Sequence, residues 1–270
     1  MMQCGTDPEI FFRKTPDMAK NDESVVKTEI TDFYETQSAE KTADFERWLN
    51  SGKVRIPQPL SYYYFENRKI RNALSMVHLP KNSSILEIGC NLGQMTFVFN
   101  QKGYRIVGTD ISPNAIEKAN RRVKHFNLSD ISFEVQDAEQ IKNHKDGEFD
   151  AVFSFSAFRY FPNPEKALKE CYRLVKSKGS VIIDFPNRNC PWFNIIKKKV
   201  GIEKHIHDRL FDVAEVRSMM EQAGFVDISI RQFLFSYKEL PSILLPFMVT
   251  GDFILEHIPV INKMSAIIMV

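Results

Sequence analysis

Ser84-Ile85-Leu86-Glu87-Ile88-Gly89-Cys90-Asn91-Leu92-Gly93-Gln94 is the stretch on which the reading of the chain turns. Ile85, Leu86 and Ile88 make a short apolar run, the pattern of a strand buried in a parallel sheet. Glu87 interrupts that run near its end. A glycine turn follows. Met95 to Asn100 then reads as a helix, with Gly103 as its stop. Strand, glycine turn and helix form the first unit of a nucleotide-type α/β fold. Gly89 and Gly93 let the backbone turn tightly and approach a ligand, because neither has a Cβ. An acid at the strand end suits a ligand carrying hydroxyls or a cationic amine.

Spacing separates two ligand classes. A dinucleotide site wants G-x-G-x-x-G, with pyrophosphate on the helix N-terminus. Here Gly89-Cys90-Asn91-Leu92-Gly93 brings the last glycine one residue too early. The pattern E-x-G-x-N-x-G resembles motif I of the class I S-adenosylmethionine-dependent methyltransferases, which usually carry acid-x-G-x-G-x-G. Asn91 stands in place of the middle glycine. Asn is the side chain most at home at positive φ, so the departure is modest. On this stretch alone, an ordinary strand-to-helix turn is the plain alternative.

Moving outward, Tyr104 to Asp110 reads as a second strand ending in an acid. Asp110 lies 17 residues beyond Gly93, near the offset of a ribose-binding carboxylate; a strand-end cap is the alternative. Ser112 is a good N-cap and Pro113 a good first helical residue. Arg121, Arg122, Lys124 and His125 read as the solvated face of that helix. Ile131 to Gln136 alternates as a third strand and leads into Asp137-Ala138-Glu139. In the family, the acid after this strand meets the adenine amino group and the next residue's backbone meets the ring edge; Asp137 and Ala138 match. Phe149 to Phe155 is the fourth strand. Its F-D-A-V-x-S run, followed by Tyr160-Phe161-Pro162-Asn163-Pro164, resembles motif IV of small-molecule methyltransferases. Many relatives carry a His-His pair where this chain has Arg159-Tyr160, which puts a catalytic His there in doubt. The resemblance thus implies a cofactor set of Tyr34, Glu87, Gly89, Cys90, Asn91, Gly93, Asp110, Ile111, Asp137, Ala138 and Ser154. Tyr34 enters as the family's early aromatic, with core packing as the alternative.

The remainder fits the same frame. Asn163 and Pro164 open a helix with an apolar stripe through Ala167, Leu168, Cys171 and Leu174, ended by Lys178-Gly179. Ser180 to Phe185 is a fifth strand. Asp212 with Glu215 reads as a capping box before a helix ended by Gly224. Val226 to Phe235 and Ala266 to Val270 supply strands six and seven. Strand–helix alternation predicts an α/β fold with a sheet covered on both faces. The resemblance sharpens this to a Rossmann-like seven-stranded sheet in order 3-2-1-4-5-7-6 with the last strand antiparallel. Residues 1–22 read as a loosely ordered terminus and 23–80 as a helical lid. Residues 81–270 read as the S-adenosylmethionine-binding domain, with substrate-facing insertions at 186–211 and 239–262. The apolar 239–262 stretch can line a pocket, lie on a membrane surface or simply pack. Its prolines and charges exclude a transmembrane helix.

Composition limits the partners. The 270 residues are 43% hydrophobic and 26% charged, with net charge +2, so a nucleic-acid partner is not expected. Cys4, Cys90, Cys171 and Cys190 show no metal spacing and read as reduced thiols of a cytoplasmic protein. His205 and His207 have a spacing compatible with one metal but no further ligand set, so no metal is expected. The resemblance implies S-adenosyl-L-methionine as cofactor and a small, apolar or aromatic methyl acceptor, with O-methylation favoured over N- or C-methylation. Tyr160, His207 and Arg159 are the acceptor-side candidates. A catalytically silent cofactor- or partner-binding protein is the alternative, and a nucleotide-dependent reductase a weaker one. The oligomeric state stays open.

Overall fold

The computed structural model describes residues 23–40, 42–55, 58–191, 193, 209–236 and 241–270. Its centre is a seven-stranded sheet built from β1 (Ser84–Ile88), β2 (Arg105–Asp110), β3 (Ile131–Val135), β4 (Phe149–Ser154), β5 (Val175–Pro186), β6 (Arg231–Phe233) and β7 (Ile267–Met269). The order is β3-β2-β1-β4-β5-β7-β6. β1, β2, β3, β4 and β5 pair in parallel, and β7 runs antiparallel to both neighbours, β5 and β6. The expected order and hand of the last strand both hold.

β1 shows why the sheet sits in the middle. Its side chains alternate between faces, and both faces are covered. Ile85 joins one core with Phe97, Phe99 and Phe153, while Leu86 and Ile88 join the other with Val152, Leu168 and Phe185. The first core lies under α3 (Leu60–Met76), α4 (Gln94–Gln101) and α5 (Pro113–His125). The second lies under α6 (Pro164–Leu174) and α7 (Val213–Ala223). Glu87 therefore points into the first of these layers, on the same face as Ile85.

The N-terminal segment holds two helices before α3, namely α1 (Glu23–Glu40) and α2 (Thr42–Leu49). Val26, Ile30, Phe33 and Tyr34 fall on one helical stripe of α1. Its Glu35 accepts from Ser112 Oγ (2.6 Å) and Asn114 N (3.1 Å), placing a carboxylate at the positive end of α5. α2 buries Phe45, Trp48 and Leu49 against Phe126.

Several local expectations need correction. Arg122 is not on a solvated face: it is fully buried, 3.6 Å from the Phe97 ring centre and 4.8 Å from that of Trp48. Its guanidinium donates to the carbonyls of Val54 (2.8 Å) and Leu92, so it ties the lid segment to the glycine turn. Lys178-Gly179 does not end a helix. α6 stops at Leu174 and β5 already runs from Val175, with an irregular register between Phe149↔Val175 and Ala151↔Ser180. β6 is confined to three residues, because Asp227 (φ 55°) and Leu234 (φ 68°) bend the backbone on either side. Asp212 caps α7 through Glu215 N (2.9 Å), but the Glu215 carboxylate pairs with Arg188 and Arg209 instead of closing a capping box. Asn163 makes no side-chain cap; its backbone N and side-chain amide donate to Glu139.

The late segment forms a short 3-10 turn (Ser242–Leu244), α8 (Leu245–Glu256) and α9 (Pro259–Asn262). Among the described residues no helix is long and apolar enough to cross a membrane.

Candidate active site

Gly89 starts the site. Its φ is 74°, and a Cβ there would lie 2.3 Å from the Ala157 Cβ. No side chain fits between the end of β1 and the loop after β4. Asn91 takes φ 49°, the left-handed conformation anticipated for it. The turn is pinned to β2, since Gly89 N (2.8 Å) and Cys90 N (2.9 Å) both donate to Thr109 O. Gly93 serves packing: a Cβ on it would meet the Phe133 ring at 2.4 Å.

This turn borders a cavity of about 120 Å3 between α1 and the C-terminal ends of the strands. Tyr34, Gly89, Asn91, Asp110, Ile111, Asp137, Ala138 and Tyr160 all line it. The Asp110 carboxylate is held rigidly: Oδ2 accepts from Asn91 N (2.7 Å) and Oδ1 from Ser112 N (3.0 Å). Burial raises its pKa more than those backbone donors lower it. A buried carboxylate in that condition gains from further donors. Asp137 is engaged at both oxygens, by Glu139 N (2.9 Å) and by Lys27 Nζ (2.8 Å). Lys27 also reaches Glu139 (2.8 Å), so α1 is clamped across the mouth. The Tyr34 and Tyr160 rings meet edge-on at 5.6 Å, and burial, then the Tyr160 and Asp110 neighbours, raises the Tyr34 phenol pKa. Arg159 sits behind this pair, its guanidinium 5.5 Å from the ring centres of both Tyr160 and Phe193.

A second cavity of about 110 Å3 lies between α3 and the start of α4, and shares Gly89 and Ser156 with the first. Its walls include Phe65, Glu66, Lys69, Glu87, Cys90 and Phe155. Glu87 accepts from Thr96 Oγ1 (2.6 Å). Burial pushes its pKa up to about 8; Thr96 opposes the shift, while Glu66 and Asp110 add to it. Burial likewise pushes the Cys90 thiol well up. Lys69 reaches from α3 to the ends of β4 and β5. Its Nζ lies 2.5 Å from Asp184 Oδ2 and 2.5 Å from Ser156 Oγ, and Ser156 N donates to Asp184 Oδ1 (2.5 Å). Both charged side chains are buried, at 2% and 1% exposure.

Placement differs from the sequence reading at several points. Ser154 lines neither cavity; it is buried and donates to Ile88 O (2.8 Å), tying β4 to β1. Ser156, two residues on, takes the lining position. Phe247 and Phe253 do not line a pocket: they are 75% and 64% exposed, and only Met248 of that trio is buried. His205, His207, Trp192 and residues 1–22 lie outside the described residues. Lys27, Lys69 and Ser156 were not singled out from sequence. Lys69 carried a usable signal, a cation on the same helical stripe as Phe65 and Ala73.

Residues 86–183 match the family model described as a methyltransferase domain. Over that stretch the chain is similar to methyltransferase domains. Among curated proteins, this chain is 29% identical over 127 residues to a sterol 4-C-methyltransferase of Caenorhabditis elegans, covering 44% of this chain and 38% of that protein. It is 29% identical over 166 residues to an S-adenosyl-L-methionine-dependent Diels-Alderase of Talaromyces variabilis, covering 57% and 56%. It is 26% identical over 211 residues to a juvenile hormone acid O-methyltransferase of Bombyx mori, covering 67% and 74%. The matched stretch thus spans 38% and 56% of the first two relatives. A solved methyltransferase of Thermotoga maritima shares the fold, with TM-score 0.58, 22% identity, and coverage of 78% of this chain and 88% of that one.

Proposed function

We propose that the chain transfers a methyl group from S-adenosyl-L-methionine to a small, largely apolar molecule, with an oxygen atom as the favoured acceptor. The observation that carries this reading is the pair of cavities meeting at Gly89 and Ser156, one walled by strand-end carboxylates and the other by aromatic side chains and Lys69. Asp110 would accept from the ribose hydroxyls, with Asp137 and Ala138 at the adenine edge and Tyr34 and Tyr160 closing over them. Glu87 would meet the cationic amine on the side of the second cavity. When bound, the cofactor supplies an electrophilic methyl group on a positively charged sulfur. The chain's residues must align the acceptor with that methyl and exclude water, which is the main route to acceleration in such a transfer.

Phe65, Met95 and Phe155 give the second cavity an apolar wall. Two of the three Lys69 N–H donors are taken by Ser156 and Asp184. The third would orient an anionic oxygen, and a carboxylate or phenolate acceptor that is already ionised needs no base. Tyr160 and Arg159 would serve as the wall between the nucleoside and the acceptor. His207 remains a proposed acceptor-side group. Calorimetry with S-adenosylmethionine, its demethylated product and a nicotinamide dinucleotide tests the first part; tight binding of the dinucleotide alone refutes it. Mass-detected methyl transfer to a panel of fatty acids, phenols, quinones, sterols, peptides and RNA tests the second. Turnover confined to peptide or RNA, or cofactor binding with no methyl transfer to any class, overturns the acceptor reading.

A further inference from the structure

The segment from Ser242 to Asn262 is turned inside out. On α8, Met248 and Asp252 face inward at 6% and 1% exposure, whereas Phe247 and Phe253 stand 75% and 64% exposed. Asp252 accepts from Phe235 N (2.6 Å), Ser236 N (2.9 Å), Ser236 Oγ (2.6 Å) and Tyr64 OH (2.9 Å). Glu256 pairs with Arg68 (2.5 Å) and accepts from Leu234 N (2.8 Å). The acids thus glue the helix to the protein, and its apolar side looks out. Ile243 before the helix and Val260 after it are 82% and 75% exposed, so the apolar surface continues over both flanks. Single exposed apolar residues need no explanation, but a contiguous group marks a surface made for an apolar partner.

We infer that this face seats the protein on the surface of an anionic lipid bilayer. Two observations favour a bilayer over a protein partner. First, outward polar groups on α8 are satisfied by its own backbone: Thr250 Oγ1 donates to Pro246 O (2.9 Å), and His257 Nδ1 lies 2.5 Å from Phe253 O. A specific protein interface instead uses directional hydrogen bonds across it, together with a polar rim. Second, Asp252 and Glu256 are the only acids between residues 241 and 264, and both are turned inward. The charge left facing out in this stretch belongs to exposed Lys263. Outward aromatic and aliphatic side chains beside a lysine, with no acid turned outward among them, suit interfacial binding, and the chain has no described helix that could cross the membrane instead.

Flotation of the full chain with phosphatidylcholine vesicles, with and without phosphatidylserine, tests this. The parent should float with the anionic vesicles, less so at high salt. A Phe247→Ser/Phe253→Ser variant should lose binding about tenfold or more while keeping its melting temperature. Val226→Ser, at an exposed valine outside this segment, should change nothing. A Phe247→Trp variant gives a second readout that removes no apolar surface: its added emission should shift to the blue with vesicles and be quenched by brominated lipid. Absence of flotation and of the spectral shift in the parent fold overturns the inference. So does flotation that the double variant retains, or a parent dimer that the double variant dissociates in the absence of any lipid binding.

Discussion

Glu87→Gln isolates the charge that the fold holds against its preference. The Glu87 carboxyl has its pKa pushed from 4.5 to about 8, chiefly by burial. Because the folded-state value is raised, the group leaves stability intact below pH 4.5 and removes it as pH rises towards and through 8. Linkage puts the cost at about 1 kcal/mol at pH 5, about 3 at pH 7 and about 5 at pH 9, at 1.36 kcal/mol for each unit. These are ceilings, since the surroundings relax around a buried charge. Gln keeps the shape and still offers an oxygen to Thr96 Oγ1, now at 2.6 Å from the carboxylate, but it cannot ionise. The variant should therefore gain on the parent as pH rises, by at least about 2 kcal/mol between pH 5 and pH 9. Urea unfolding of both proteins at pH 5, 7 and 9, with matched slopes, reads this directly. Titrations elsewhere cancel in the difference. A gap that stays constant across the three pH values refutes the assignment of a raised Glu87.

Asp110→Ala should weaken S-adenosylmethionine binding by about 1.5–3 kcal/mol while leaving the fold intact, as measured by calorimetry alongside thermal melting. Gly89→Ala must tolerate both a positive φ and a 2.3 Å approach to the Ala157 Cβ, so it should lower stability by about 2–4 kcal/mol and abolish cofactor binding; unchanged denaturation would contradict the packing described. Lys69→Met and Asp184→Asn should each destabilise by about 3–5 kcal/mol, because each strands a buried partner, and the double variant should recover much of that loss in a mutant cycle.

The sheet was legible because its signals are local and repeated. The first four strands are short, largely apolar runs, and the acids Asp110 and Asp137 fall at or just after the ends of two of them. Gly89 and Asn91 announced their backbone conformation through residue type alone. What stayed hidden depends on contacts between distant parts of the chain. Lys27 and Asp137 are 110 residues apart, and nothing near Lys27 marks it as a clamp. Arg122 sits in a run of cations that reads as solvated surface; only the arrival of Trp48 and Val54 from the lid buries it. Ser154 and Ser156 differ by one turn of the backbone after β4, where Ser156 takes φ 60°, and sequence pattern does not reveal which hydroxyl faces the cleft. The inverted helix α8 was ambiguous for a related reason. Its apolar content was plain, but the direction it faces was set by Tyr64, Arg68 and the backbone amides of residues 234–236.

The two helical walls of the cleft are fastened in different ways, and this has a kinetic consequence. α3 is bolted to the sheet by a dry ion pair, Lys69 with Asp184. Withdrawing it would separate two charges that water does not reach, at several kcal/mol. α1 is fastened by several separate polar contacts: Lys27, 23% exposed, pairs with Asp137, 34% exposed, and with the more sheltered Glu139, while Glu35 accepts from Ser112 and Asn114. A partly exposed pair such as Lys27 with Asp137 exchanges with water and salt, and is worth about 1 kcal/mol or less by itself. The α1 wall can therefore loosen one contact at a time, whereas the α3 wall must part its buried charges in a single step. Entry to the cavity beneath α1 can then proceed by such stepwise loosening, while the cavity beside α3 keeps its shape, so one compartment can be refilled without rebuilding the other.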